Sequence, residues 1–89
     1  MKDEQYQKKI INDVVEEAIS NQMRSNDPPE TNVTYKRLIR EGWSLEDARK
    51  LVGQCVLTEV FMVIKHKQAF NHARFVKNLL NLPAEPSDI

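Results

Sequence analysis

The stretch SLEDARKLVGQCVLTEVFMVIKHK, residues 44–67, decides the fold of this chain. Ser44 is followed three residues later by Asp47, a pattern typical of a helix N-cap whose first turn carries an acidic residue. The cations at positions 65–67 suit the negative end of a helix dipole. The stretch therefore predicts one long helix from Ser44 to Lys67.

The apolar residues of this helix change their distribution along its length. At about 100° per residue, those of the first half share one face. They are Ala48, Leu51, Val52 and Cys55. Those of the second half point almost all the way round, and they are Val56, Leu57, Val60, Phe61, Met62, Val63 and Ile64. A helix that is apolar on every side belongs in the middle of a domain or in an interface. Gly53, inside the helix, indicates the close approach of another helix.

The first of three further predicted helices covers residues 4–24. Its apolar residues come as the pairs Ile10/Ile11, Val14/Val15 and Ala18/Ile19. Because the pairs repeat every four residues and not every 3.6, the apolar stripe drifts around the helix. The helix should therefore cross its neighbours obliquely or contact different neighbours along its length. Its predicted solvent-facing residues are Lys8, Lys9, Asp13, Glu16 and Glu17.

The second helix is predicted to begin at Pro28, with Asp27 as its N-cap and Glu30 completing a capping box. The alternative is a start at Thr31 or Asn32, with the two prolines as a linker. Gly42 is placed to end this helix, because glycine readily adopts the left-handed conformation of the C′ position.

The fourth helix is predicted over His72–Asn81. Asn71 is placed as its cap, and Pro83 stops the chain from continuing as a helix. Phe75, Leu79 and Leu82 should point inward. The predicted fold is all-α, a four-helix oblique or orthogonal bundle ordered long-short-long-short around a central third helix. Residues 1–83 form one helical domain, and residues 84–89 are a flexible C-terminal tail.

The length and the charge of the chain limit which functions it can have. Eighty-nine residues allow one domain with a thin core, for which dimerisation would be a natural reinforcement. Thirteen Lys and Arg balance thirteen Asp and Glu, so nothing supplies the basic surface that nucleic-acid binding needs. No apolar segment is long enough to span a membrane, and the N-terminus lacks a signal peptide. The predicted location is the cytoplasm.

Glu59 is the first candidate for a site, because it is a carboxylate within the apolar half of the third helix. Buried charge is costly unless it is paired, so a partner is expected. The candidate partners are Tyr35, Arg74, His72 and Arg37. The favoured interpretation is a buried carboxylate that ties two helices together, and the alternative is a ligand-binding or catalytic acid.

Cys55 and His72 complete a speculative buried polar site with Glu59, Arg74 and Tyr35. Cys55 and Glu59 lie one helical turn apart, while His72 would arrive from the next helix. Two scattered ligands specify little, and no zinc or di-iron spacing is present. A thiol on an apolar helix face is normally inert packing. The sequence therefore assigns no catalytic residue, no metal ligand and no cofactor.

Residues 35–50 have the outline of a helix-turn-helix, with Gly42 in the turn. The helix that would enter the groove opens with Leu45, Glu46 and Asp47, which would bring carboxylates toward phosphates. Nucleic-acid binding is therefore the last of the alternatives.

Landmark residues from Asp27 to Pro83 occur in an order that is similar to a family of small, mostly bacterial helical proteins of unknown function. The matching residues are Asp27-Pro28-Pro29-Glu30, Leu38, Glu41-Gly42, Ala48, Glu59, Phe70-Asn71, Arg74-Phe75, Leu79 and Leu82-Pro83. The resemblance implies the helical layout and a bacterial origin. Many family members carry histidines one turn apart where this chain has Glu46 and Lys50, so a histidine-based role does not carry over.

The leading functional hypothesis is a non-enzymatic protein-interaction or structural module that acts as a homodimer. Its partner is a second copy or another protein, and neither a membrane nor a nucleic acid. The alternatives are a small-ligand or metal site around Glu59 and, after it, helix-turn-helix-like nucleic-acid binding.

Overall fold

The computed structural model describes the backbone of residues 2–88 and the side chains of residues 8–88. Its four helices are α1 (Lys2–Ser25), α2 (Pro29–Arg40), α3 (Leu45–His66) and α4 (His72–Asn81). No strand occurs in the described part of the chain. The prediction of an all-α fold ordered long-short-long-short is confirmed.

Helix α3 runs unbroken for 22 residues, and both of its ends follow from local chemistry. At the start, the Ser44 hydroxyl oxygen accepts a hydrogen bond from the Asp47 backbone N–H at 3.0 Å, as the N-cap pattern predicts. At the end, Lys67 adopts the left-handed conformation (φ 52°), and its backbone N–H donates to the Met62 carbonyl. Helix α3 is therefore one continuous element to which the others can attach.

The α2–α3 connection is a Schellman turn at Gly42. The Gly42 N–H donates to the Ile39 carbonyl and the Trp43 N–H donates to the Leu38 carbonyl, both at 3.1 Å. Gly42 has a φ of 102°, a backbone conformation that residues with a Cβ atom rarely adopt. The predicted C′ glycine is confirmed.

The predicted start of α2 is wrong by one residue. The helix begins at Pro29, and Pro28 occupies the N-cap position with an extended backbone (ψ 150°) and no side-chain cap. The reason is steric: a residue that precedes proline is excluded from the helical region, so Pro28 cannot be helical before Pro29. Asp27 is therefore not the cap, and one buried carboxylate oxygen of Glu30 has no hydrogen-bond partner within the described chain.

The core is formed by side chains from all four helices. Its buried members are Val15, Ile19, Leu38, Ala48, Val52, Cys55, Val56, Phe75, Leu79 and Leu82. Helices α2 and α3 each contact the other three helices, whereas the described parts of α1 and α4 do not contact each other. Helix α3 is central as predicted, and α2 shares that position.

In each apolar pair of α1, one residue is more buried than the other. Val15 and Ile19 enter the core, while Ile10 and Val14 remain 44% and 46% exposed. The five residues predicted to face solvent are all exposed. Helix α1 thus has an inward side and a second apolar side that its own chain does not cover.

The last turns of α3 are also incompletely covered within one chain, so of their two predicted places the middle of the domain does not hold for every residue, and an interface stays a prediction. Met62 is buried and Val60 is half-buried, but Phe61 is 49% exposed and Ile64 is 64% exposed. The cause is orientation, because Phe61 and Ile64 lie on the side of α3 away from the buried Glu59 and Met62. Within one chain, this end of α3 lies at the edge of the bundle.

Gly53 lies where α1 packs on α3. A Cβ atom at this position would be 3.4 Å from side-chain atoms of Val15 and Ile19, which is an ordinary van der Waals contact. Close helix approach is therefore present, yet it leaves room for one methyl group.

Alanine substitutions at the two glycines should change stability in opposite directions. Gly42→Ala should lower the free energy of unfolding by about 1 kcal/mol because alanine is strained at positive φ. Gly53→Ala should raise it by up to about 1 kcal/mol because alanine favours the helix interior. Urea unfolding at one fixed protein concentration measures both. A loss of stability in Gly53→Ala would show that even a methyl group is too large beside Val15.

Candidate functional site

The most specialised polar cluster joins the inward face of α3 to the first turn of α4. Glu59 lies between Cys55 and Met62 on the buried side of α3 and is fully inaccessible to solvent. The chain then turns through residues 67–71, and α4 begins after Asn71. Arg74 lies in the first turn of α4 and is also buried. The turn therefore returns α4 to the level of Glu59.

Arg74 binds the Glu59 carboxylate through two nitrogens. Its Nε donates to Oε2 at 2.6 Å, and its Nη2 donates to Oε1 at 2.9 Å. The planar guanidinium matches the carboxylate in this two-point arrangement, which is among the strongest side-chain interactions in proteins. Of the four candidate partners, Arg74 is the one that binds Glu59.

Asn71 provides a third contact and links the pair to the helix terminus. Its backbone N–H donates to Glu59 Oε1 at 2.9 Å, and its side-chain oxygen accepts from the Arg74 N–H at 3.0 Å. Asn71 therefore caps α4 while it also binds the acid. The carboxylate lies close to the positive end of the α4 dipole, which adds to its stabilisation.

The charged form of Glu59 is favoured despite its burial. Removal from water raises the pKa of this carboxyl group, but hydrogen bonds from Arg74 and Asn71 and the positive charge of Arg74 outweigh that effect. The net pKa therefore lies below the usual value. Because both carboxylate oxygens are already bound by neighbouring groups, the arrangement supports a structural link between α3 and α4.

The other residues of the predicted site lie in different surroundings. Cys55 is buried one turn before Glu59, and burial raises the pKa of its thiol to about 12. A thiol with that pKa stays protonated near neutrality and is a poor nucleophile. His72 lies on the surface, at a shallow groove that Glu30 also lines. Tyr35 is half-buried against the apolar core.

Arg37, another candidate partner of Glu59, binds elsewhere. Its Nη1 pairs with Glu41 at 3.0 Å, and its Nη2 donates to the carbonyls of Leu79 and Leu82 at 3.3 and 3.0 Å. It therefore connects α2 to the exit of α4. Within residues 8–88, no three His, Cys, Asp or Glu side chains are positioned to hold a metal ion together.

Asn78 is a buried polar residue that the sequence analysis missed. Its side-chain nitrogen donates to the Ser87 carbonyl at 2.8 Å, and its oxygen accepts from the Ser87 N–H at 2.9 Å. A second contact joins Arg74 Nη1 to the Asp88 carbonyl at 3.4 Å. The available signal was spacing, because Asn78 lies one turn after Arg74 on the inward face of α4.

These bonds hold residues 87 and 88 against α4. The predicted flexibility of residues 84–89 concerns motion and stays a prediction. The structure adds that Ser87 and Asp88 are hydrogen-bonded to Asn78 and Arg74 of α4.

No family model, curated protein or solved structure matches the chain. The resemblance drawn from the sequence therefore stays a prediction. None of the helices in residues 2–88 combines the length and the apolar character needed to cross a membrane.

Glu59→Gln should destabilise the fold because it leaves a buried guanidinium without its counter-charge. The expected loss is about 3 kcal/mol, within the range measured when one partner of a buried ion pair is removed. Arg74→Met should also destabilise the fold, and the double variant Glu59→Gln/Arg74→Met should lose less stability than the sum of the losses of its two single variants. Urea unfolding of the complete cycle provides the measurement, and additive losses would show that the two residues act independently.

The stability of the protein should also depend on the ionisation of Glu59 at low pH. Because its folded-state pKa is lowered, the stabilisation is complete above the unfolded-state pKa of about 4.3. It is lost as pH falls through the lower folded-state value. Unfolding free energies at a series of pH values should therefore fall less steeply in Glu59→Gln than in wild type. Equal slopes below that pH would contradict the assignment.

Proposed function

We propose that the protein is a non-enzymatic interaction module that acts as a homodimer. The observation that carries the proposal is an uncovered apolar surface formed by the first half of α1 and the second half of α3. We call it the α1–α3 face, and its members are Ile11, Val14, Leu57, Val60, Phe61 and Ile64.

The members of the α1–α3 face are neighbours in space. Ile11 of α1 lines one groove together with Leu57, Val60, Phe61 and Ile64 of α3. Val14 extends this surface along α1, because it lies three residues after Ile11 and residues three apart are neighbours on a helix. The result is a continuous apolar area that spans two helices.

Burial of this face would offset the thin core of a short chain. A helical domain of this size buries a limited share of its own surface, so further apolar burial at an interface contributes substantially to its stability. Contiguous apolar patches on small proteins are typical of interaction sites, whereas single exposed apolar residues are not. The balanced charge of the chain, thirteen cations and thirteen anions, opposes self-association only weakly.

The remaining alternatives have less support. Both oxygens of the Glu59 carboxylate are bound by Arg74 or Asn71, which favours a structural role over a ligand site. The start of α3 presents Glu46 and Asp47 at the surface, where they would repel a phosphate backbone. An interaction module therefore accounts for more of the described surface than either a metal site or a nucleic-acid reader.

The test is the molar mass in solution at micromolar concentration, measured by light scattering and sedimentation. We expect twice the chain mass for the wild type. Ile64→Lys should weaken the dimer about tenfold or more, because it places a cation in a buried interface position. The lysine suits the C-terminal turn of a helix, so the fold of the monomer should persist.

The matched control is Val33→Lys on α2. Val33 is 60% exposed, close to the 64% of Ile64, but it lies outside the α1–α3 face. It should leave the molar mass unchanged. A wild type that is monomeric throughout the concentration range would refute the homodimer.

A further inference from the structure

We infer that the cleft between α3 and α4 binds an extended segment of a partner protein, and that residues 86–88 occupy this site as an internal ligand. The site is separate from the proposed homodimer, because Arg74 and Asn78, which bind the segment, lie outside the α1–α3 face. The chain's own segment shows which kind of ligand the cleft accepts.

Asn78 binds the segment in the manner of a neighbouring β-strand. Its side-chain nitrogen donates to the Ser87 carbonyl at 2.8 Å, and its side-chain oxygen accepts from the Ser87 backbone N–H at 2.9 Å. Two residues that face each other in an antiparallel sheet exchange the same pair of hydrogen bonds. Arg74 adds a third bond, from Nη1 to the Asp88 carbonyl at 3.4 Å. All three bonds are made to backbone groups, which every residue except proline can supply at the central position.

The segment is only partly buried, whereas the side chain that binds it is not accessible. Pro86 and Ser87 are half-buried, and Asp88 is exposed. Asn78, in contrast, is 2% exposed, so its amide needs a partner whenever the cleft is filled. Another segment that supplies the same backbone bonds and buries more apolar surface would therefore displace residues 86–88.

An open groove of about 430 Å³ lies between the segment and α3, and this volume is within the range of ligand pockets. Pro86 and Asp88 line it on one side. The α3 side consists of Leu57, Thr58, Phe61, Met62 and His66. Residues two apart in an extended chain project to the same side, so both segment positions can reach the groove. A proline ring is small, and a carboxylate is better solvated by water than by apolar side chains, so the chain's own segment leaves this space open.

These contacts define the class of ligand. Its central residue keeps the backbone N–H and carbonyl that Asn78 binds, and the residues on either side are large and apolar so that they fill the groove. Recognition of this kind combines main-chain hydrogen bonds, which give affinity, with pockets for alternate side chains, which give specificity. The partner segment therefore has the pattern apolar–any residue but proline–apolar, and it buries surface that Pro86 and Asp88 leave open.

A fluorescently labelled peptide tests the site on the full chain. The probe is Ala-Glu-Leu-Ser-Leu-Ile, the sequence of residues 84–89 with leucine in place of Pro86 and Asp88. It should bind Ser87→Pro about tenfold more tightly than the wild type, because this substitution removes the internal N–H donor and weakens the competing segment. Fluorescence anisotropy measures both dissociation constants, and circular dichroism shows that both proteins are folded. Equal dissociation constants, or binding to neither folded protein, would overturn the inference.

Two further peptides are the matched controls. N-methylation of the probe's serine removes the donor for the Asn78 side-chain oxygen, and this peptide should bind about tenfold more weakly than the probe. The unsubstituted sequence Ala-Glu-Pro-Ser-Asp-Ile should also bind about tenfold more weakly, because it leaves the groove unfilled. If the N-methylated peptide binds as well as the probe, recognition through Asn78 is wrong. If the unsubstituted peptide does so, the apolar class of ligand is wrong.

NMR spectra of the ¹⁵N-labelled wild type test displacement without a substitution. Titration with unlabelled probe to millimolar concentration should move the backbone amide signal of Ser87 toward its random-coil position, because the segment leaves the cleft. The Asn78 side-chain amide signal should also shift, because its partner is exchanged. The Gly42 signal, from the turn between α2 and α3, is the internal control and should stay in place. Peptide binding that leaves the Ser87 and Asn78 signals unchanged would place the peptide elsewhere and refute the inference.

Discussion

The buried carboxylate of Glu59 is the constraint on which the second half of the fold depends. A charge in the centre of a small helical core is tolerated only if nearby groups replace the water it has lost. Arg74 and Asn71 supply three hydrogen bonds, and both residues belong to the start of α4. The position of α4 is therefore determined by polar contacts at its N-terminus as well as by Phe75 and Leu79 in the core. An apolar residue at position 59 would pack without requiring that register.

Helix α3 serves two surfaces, and its sequence reflects both. Its first half has one apolar face, which packs on the other helices of the same chain. Its second half has Glu59 and Met62 on the inward side and Phe61 and Ile64 on the outward side. The helices of this short chain do not cover that outward side, which stays exposed. The same shortage of covering residues leaves Ile10 and Val14 exposed on α1.

Side chains of α4 bind the backbone of Ser87 and Asp88. The side-chain amide of Asn78 binds both the backbone N–H and the backbone carbonyl of Ser87. These two hydrogen bonds do not involve the Ser87 side chain. Arg74 reaches the Asp88 carbonyl while it binds Glu59. One arginine therefore contacts α3 and the C-terminal segment, which joins the end of the chain to the buried ion pair.

Local chemistry by itself determined the helices and most of their ends. Ser44, Asn71 and Gly42 specify two N-caps and a C-terminal turn, because each acts within a few residues of its own position. The start of α2 was also within reach of the sequence, since the Pro28-Pro29 pair excludes a helical Pro28. The need of Glu59 for a partner followed from its apolar surroundings, and Arg74 was one of four candidates.

Only the tertiary structure chose among those candidates and distributed the apolar residues. Arg74 reaches Glu59 because the turn at residues 67–71 has a particular length and direction, while Arg37 and His72 are directed elsewhere. Equally apolar residues, such as Val56 and Ile64, differ completely in exposure. Periodicity identifies the apolar sides of a helix, but the number and placement of neighbouring helices decide which sides the chain can cover. That depends on contacts between residues distant in sequence, which local preferences do not encode.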